Sequence, residues 1–389
     1  MKVLIFTSDL YQGGVAESTR KLADYLSKEN DVTVCTYDNL PINKLMNRSV
    51  KISKLNLPLS AGFRKNKISI LTTKLLRIIL LPLAFIKFFY TVMRTRPDVV
   101  FSLTYIPNII SVHACRLLGV KCIVSERQDP IQDLDQGTIF SKILKNTYRK
   151  ATGVHVNSQG MIVSVKKFYE ISDEKILNFD NFFVKDDIVK QSMEELELNF
   201  SFKKEKIYLV TSGRLSKQKG QWHLLDIIKE LIEIDDSYQL LILGEGELRN
   251  ELEYKIKSNN LSGHVYLLGN VNNPHNFINK SDVFIFPSIW ESFGNSLVEA
   301  MALGIPVAST VCDSGPGEII NYGEYGYNMG IFPSYEEGGL DKDKLQDLVS
   351  NIHLIATENK KLYSEMSLNG YKRYDLSIMS QKIDSIFKL

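Results

Sequence analysis

Residues 207–233 read IYLVTSGRLSKQKGQWHLLDIIKELIE. Ile207-Tyr-Leu-Val-Thr211 is a β-rich run of strand length. It ends in a basic turn bounded by glycine, Gly213 to Gly220. From 221 to 233, Leu224, Leu225, Ile227, Ile228, Leu231 and Ile232 recur on one broad helical face. A strand, a tight turn and an amphipathic helix make one half of a β-α-β unit.

The unit repeats outward. Downstream, Leu240–Leu243, Val265–Leu268, Val283–Phe286 and Ile305–Ala308 read as strands, and residues 341–388 as helical throughout. Upstream, Val3–Phe6, Val32–Val34, Val99–Phe101, Cys122–Val124 and Val154–Val156 alternate with helical patterns, one of them over 15–28. This is the pattern of parallel sheets covered on both faces. The rhythm weakens between 182 and 205. With 389 residues, more than one core usually supports, the chain is expected to form two doubly wound α/β domains, 1–190 and 200–375. Two such domains predict a ligand cleft at the C-terminal edges of their sheets.

Composition narrows the class. With 44% hydrophobic and 24% charged residues, the chain can build large cores. Cys35, Cys115, Cys122 and Cys312 have neither close pairing nor zinc-ligand spacing, which fits a reducing cytoplasm. No secretory signal is read at the start. The longest charge-free apolar stretch, between Arg77 and Lys87, is too short to span a bilayer. Residues 1–195 carry 28 Lys and Arg against 19 Asp and Glu, whereas the rest carry 19 against 26. The basic excess concentrates in residues 39–97, which hold twelve Lys or Arg and no acid. Within them, Ile68–Met93 is apolar and broken by Pro82, which is expected to kink or end a helix. This predicts a segment lying on an anionic membrane surface. A core helix with a solvated basic face is the alternative. Nothing points to nucleic acid.

Four elements can carry chemistry. In the first turn, Arg214 and Lys219 could grip a diphosphate near a helix N-terminus, or merely form a basic surface turn. In Glu291-Ser-Phe-Gly-Asn-Ser-Leu-Val-Glu299, Glu291 lies in a loop and Glu299 in a helix expected over 295–303. Both could bind sugar hydroxyls, although Ser296 and Glu299 also have capping-box spacing. Gly244 and Gly246, after a strand, could admit a ligand to the backbone or form a plain turn. Gly13-Gly14 follows the first strand but lacks the dinucleotide fingerprint. Asp133/Asp135 and Asp341/Asp343 read as solvated carboxylates, and His113 and His155 as packed. His223 stays ambiguous, and Trp222 reads as packing.

The context Phe286-Pro-Ser-Ile-Trp-Glu-Ser-Phe-Gly-Asn-Ser-Leu-Val-Glu-Ala-Met-Ala-Leu-Gly-Ile-Pro-Val307 resembles the family-4 retaining glycosyltransferases of the GT-B fold. The likeness covers nearly the whole chain and is strongest over 207–320. It implies that Glu291 contacts the donor hexose and Glu299 the ribose. Phe293, Gly294, Asn295 and Ser296 would line the donor, with Gly244 and Gly246 nearby, and Arg214 and Lys219 would clamp the diphosphate. Gly14 would approach from the first domain, and a helix over about 376–389 could pack back on it. The resemblance implies a UDP-sugar donor, retention, and neither metal nor cofactor. Ser125-Glu126-Arg127-Gln128-Asp129-Pro130 and Cys312-Asp-Ser-Gly-Pro-Gly-Glu-Ile-Ile320 look like segments of bacterial exopolysaccharide, capsule and lipid-linked oligosaccharide enzymes. That subgroup implies a lipid-linked acceptor, with Glu126 and Arg127 facing it, and peripheral attachment to the inner face of the plasma membrane. Gly317 stands where relatives often have Arg, which leaves the donor sugar open. A UDP-sugar epimerase, or a non-catalytic sugar-nucleotide-binding relative, is the alternative.

Overall fold

The structure is a computed structural model. It describes residues 1–11, 13–38, 46–57, 67–195, 200–312 and 314–387, with only the backbone for 67–79. Lys44, Arg64, Lys65 and Asp313, and the side chain of Lys67, lie outside the described residues.

The chain forms two compact units. The first comprises residues 1–157 and 161–179 with the last residues from Ile383; the second comprises 158–160 and 180–382. Among the described residues, the first holds a seven-stranded sheet: β1 (Lys2–Thr7), β2 (Asp31–Thr36), β3 (Lys51–Lys54), β4 (Val99–Leu103), β5 (Lys121–Ser125), β6 (Gly153–Val156) and β7 (Ile176–Asn178). Its order is β3-β2-β1-β4-β5-β6-β7, and every pairing is parallel. The second holds six strands: β8 (Ile207–Ser212), β9 (Tyr238–Leu243), β10 (Val265–Gly269), β11 (Val283–Phe286), β12 (Val307–Ser309) and β13 (Tyr327–Asn328), in the order β10-β9-β8-β11-β12-β13. These are also all parallel.

Burial explains the apolar runs. β4 and β9 are buried at every position, because helices cover both faces. In the second sheet the two cores split by residue parity. Leu209, Leu240, Ile242, Val283 and Ile285 face one core; Tyr208, Val210, Leu241, Leu243, Phe284 and Phe286 face the other. In each sheet the strand order reverses once, between β1 and β4 and between β8 and β11. At such a point successive loops leave in opposite directions and open a crevice at the strands' C-terminal ends.

Two expectations change, and the helical tail gains its divisions. Pro82 neither ends nor splits its helix, which runs from Lys67 to Thr95; Pro82 is exposed, so water can take the carbonyl it leaves unbonded. The irregular 182–205 region contains the helix Lys185–Ser192. The tail is three helices, Lys342–Thr357, Lys360–Tyr371 and Leu376–Phe387. Among the described residues, no helix is long and apolar enough to cross a membrane.

Candidate active site

The reversal between β8 and β11 brings two of the four elements together. The turn after β8 carries Arg214 and a short 3-10 turn, Lys217–Lys219. It ends at Gly220, whose φ of +65° favours glycine. A Cβ there would drive into the carbonyl oxygen of Pro287, in the loop after β11. That close approach locks the two loops together. Gln218 reinforces it: its backbone carbonyl accepts from Ile289 N at 2.8 Å, and its Nε2 donates to Trp290 O at 3.1 Å.

Lys219 therefore meets Glu291. Their side chains form an ion pair, 20% and 10% exposed. Glu291 also accepts from Ser288 Oγ at 3.1 Å, and its backbone carbonyl accepts from Ser314 Oγ. The Lys219 ammonium stands 5.4 Å from the Phe286 ring centroid. Burial, with the Glu291 charge beside it, pushes the Cys312 thiol far up. Arg214, by contrast, is exposed, and donates within its own turn, to Gln218 Oε1 at 3.2 Å.

After Glu291 the chain buries Phe293, and at Gly294, with φ of +139°, turns into the helix Asn295–Ala302. The first N–H groups of a helix have no intrahelical acceptor, so this end presents donors at the crevice. The capping box does not form. Gly294 is the cap, and Ser296 Oγ donates to Ser212 O at the end of β8, 3.2 Å away. Asn295 Oδ1 accepts from Asn181 Nδ2 at 2.8 Å. Glu299, 13% exposed, instead meets His275, whose Nε2 is 3.4 Å from its carboxylate: ion-pair distance rather than a directed bond. Nδ1 of His275 is 3.0 Å from Gln191 Oε1.

Gly244 and Gly246 stand where two backbones meet. A Cβ on Gly244 would strike Gly213 O, and one on Gly246 would strike Leu215 O. Backbone bonds lace the same loops, Leu215 N to Glu245 O at 3.0 Å and Leu248 N to Leu215 O at 3.1 Å. These glycines let the turn after β9 press against the basic turn and fix its course.

In the first unit, Gly14 begins the helix Gly14–Leu26 after β1, with Gly13 as cap at φ of +98°. Glu126 and Arg127 follow β5. Glu126 was expected to face an acceptor; it is buried instead, and its own fold occupies its carboxylate. Oε1 accepts from Arg127 N (2.8 Å) and Gln128 N (3.2 Å); Oε2 accepts from Tyr148 (2.8 Å) and Tyr169 (2.7 Å). The two tyrosine rings stack at 3.9 Å, and Asn108 Nδ2 donates to Tyr148 Oη at 2.8 Å. Burial pushes the Glu126 carboxyl up to about 7, against these four bonds. Burial also lowers Arg127, to about 10, while the neighbouring Glu126 raises it. His155 is packed: its Nε2 donates to Phe179 O at 3.0 Å, so Nδ1 accepts from Ser125 Oγ at 2.8 Å. His223 is buried likewise, with Nε2 donating to Pro333 O at 2.9 Å.

Residues 193–373 match the family described as Glycosyl transferases group 1. An uncharacterized glycosyltransferase of Methanocaldococcus jannaschii is 32% identical over 272 residues, 66% of this chain and 67% of that one. This chain is a group 1 glycosyltransferase. A Campylobacter jejuni relative, N-acetylgalactosamine-N,N'-diacetylbacillosaminyl-diphospho-undecaprenol 4-alpha-N-acetylgalactosaminyltransferase, is 30% identical to the glycosyltransferase over 226 residues, 57% of this chain and 59% of its own. In structure the glycosyltransferase resembles Anabaena Alr3699/HepE, solved in complex with UDP and glucose. The TM-score is 0.75 at 17% identity, covering 100% of this chain and 99% of that one. The likeness carries the GT-B fold.

In this glycosyltransferase the second unit thus gathers Arg214, Lys219, Glu291, the Gly294–Ser296 turn and Glu299 around one sheet edge, with the cations on the loop after β8, Glu291 on the loop after β11 and Glu299 in the helix that follows. Gly14, Glu126 and Arg127 belong to the other unit. Three contributors escaped the sequence reading. Gln218 and Ser288 lay inside quoted motifs, where spacing gives no hint of their partners. His275 had no signal, since only the tertiary fold places it beside Glu299.

Proposed function

We propose that this glycosyltransferase moves a hexosyl or N-acetylhexosaminyl group from a UDP-sugar to a lipid-linked saccharide, with retention and without metal, in surface polysaccharide assembly at the cytoplasmic face of the membrane. The pairing of Lys219 with Glu291 carries the reading. A cation and a carboxylate share one point, so a diphosphate and the sugar it bears can be held side by side. Arg214, exposed at the crevice, adds a planar fork for phosphate oxygens. Glu299 suits the ribose hydroxyls.

In the reaction the bond between the anomeric carbon and the diphosphate oxygen breaks, and its electron pair leaves with UDP. Lys219 and Arg214 stabilise the charge that gathers there, the task a metal would otherwise perform. The acceptor hydroxyl attacks the same face of the oxocarbenium-like sugar and passes its proton to the departing diphosphate. The lipid-linked acceptor is supported by the Campylobacter relative's name. Basic residues within 39–97 would hold the protein to the anionic surface where such acceptors lie.

The test is a panel of UDP-sugars against polyprenyl-diphosphate-linked saccharides, with product stereochemistry read by NMR. One donor should transfer with its anomeric configuration kept, and equally in EDTA. Inversion, strict magnesium or manganese dependence, or release of epimerised sugar without acceptor would each overturn the proposal.

A further inference from the structure

Three helices of the first unit, Lys67–Thr95, Tyr105–Leu118 and Ile139–Lys150, pack side by side. They carry five, one and four Lys or Arg, and not one Asp or Glu. A merely solvated protein surface mixes both signs.

The same helices expose apolar side chains. On the first, Ala84, Phe88 and Val92 are buried, while Leu83, Ile86, Tyr90 and Met93 repeat at helical spacing on the outer side, with Ile86 and Tyr90 62% and 61% exposed. On the second, Leu117 is 71% exposed. On the third, Ile139, Phe140 and Ile143 are all exposed, Ile139 to 78%. Phe140 sets its ring edge against Tyr105 at 6.0 Å, which joins the second and third helices at their N-terminal ends. Between the first and second helices lies an open apolar cavity of about 420 Å³ lined by Leu81, Pro82, Phe85, Ile109, Ile110 and His113.

Some of the positive charge is spent internally. Lys145 and Arg149 pair with Glu170, and Lys87 donates to Leu55 O. Arg94, Arg116, Lys142 and Lys150 remain exposed.

We propose that these three helices form one surface that docks on an anionic lipid bilayer, with Ile139, Phe140 and Ile143 entering the interface beside the outer stripe of the first helix. The proposal rests on the membrane reading above and extends it to residues 105–118 and 139–150. Of the carboxylates beside these helices, Glu170 is paired with Lys145 and Arg149 and Asp133 accepts from Tyr105 Oη, so a second copy of this surface would set cation against cation. Nucleic acid would satisfy the bases but not the aliphatic side chains. A headgroup layer over hydrocarbon satisfies both.

The experiment is co-sedimentation of the full chain with vesicles of phosphatidylcholine alone or mixed with phosphatidylglycerol. Binding should require phosphatidylglycerol and weaken with salt. The triple change Ile139→Ser, Phe140→Ser, Ile143→Ser should lower it by about tenfold, as should Ile86→Ser with Tyr90→Ser. Circular dichroism and UDP binding should stay unchanged, since these residues are exposed. Absence of vesicle binding, full binding by both variants, or a dimer of the wild type that either variant dissolves would overturn the assignment. A protein that transfers sugar to detergent-dispersed acceptor yet ignores vesicles loses this surface and keeps the proposed reaction; one that binds vesicles and transfers nothing does the reverse.

Discussion

Replacing Glu126 by Gln isolates the effect of one buried proton. The carboxyl titrates at about 7 in the folded protein, against an ordinary 4.5, because burial penalises its charge more than four hydrogen bonds favour it. At about 1.4 kcal/mol per tenfold in proton affinity, the difference is worth roughly 3 kcal/mol. The sign follows from a raised folded value. Below pH 4.5 both states hold the proton and the contribution is complete. As pH rises to about 7 the unfolded chain releases its proton first, and the contribution drains away. The substituted amide cannot titrate. Its nitrogen also offers Tyr148 no acceptor, although Asn108 already occupies a Tyr148 lone pair. The Glu126→Gln variant should therefore lose about 1–3 kcal/mol at acid pH. That deficit should shrink or reverse above about pH 7.

Guanidinium unfolding followed by far-ultraviolet circular dichroism, at about pH 5 and about pH 8 on either side of that titration, measures it. Trp222 and Trp290, the two tryptophans, both lie in the second unit, so tryptophan fluorescence is an internal control that should not change. A deficit equal at both pH values would refute the reasoning.

The site yields further predictions. Arg214→Ala and Lys219→Ala should each lower turnover by about two to three orders of magnitude while the fold, read by circular dichroism, survives; near-normal kcat in both would remove the diphosphate clamp. Glu291→Gln should reduce kcat more than nucleotide affinity, and Glu299→Gln should weaken UDP in calorimetry; the opposite split would exchange their roles. Gly220→Ala should destabilise the second unit by about 1–3 kcal/mol, seen in the tryptophan-monitored melt, because its Cβ has no room beside Pro287 O. A neutral result there would mean that the two loops are not locked.

Much of this was legible in the sequence. The central strands β8, β9 and β11 are buried on both faces, so their apolar runs stand out from glycine-bounded turns. The edge strands β3 (Lys51-Ile-Ser-Lys54) and β13 (Tyr327-Asn328) are short and no position in either is fully buried, and β7 is only three residues long. Such strands need no apolar run and leave no signal. Glu291 and Lys219 were legible as residues, but not as partners, since 72 positions separate them. Ser296 and Glu299 show how spacing misleads. They would form a capping box only if Ser296 were the cap, and the positive φ of Gly294 places the cap two residues earlier. Glu126 was visible after its strand, yet sequence could not tell a carboxylate facing substrate from one enclosed by two tyrosines.

The glycines that press the loops after β8, β9 and β11 together also restrict how such an enzyme can diversify. Gly220, Gly244 and Gly246 admit no side chain where another backbone already stands, and Gly315 is held the same way against Phe293. Selection for a new donor sugar cannot work through these positions without dismantling the loops' mutual support. It is confined to positions whose exchange leaves those contacts intact. A lineage can therefore change its product by a few exchanges at the crevice rim while the scaffold beneath stays fixed.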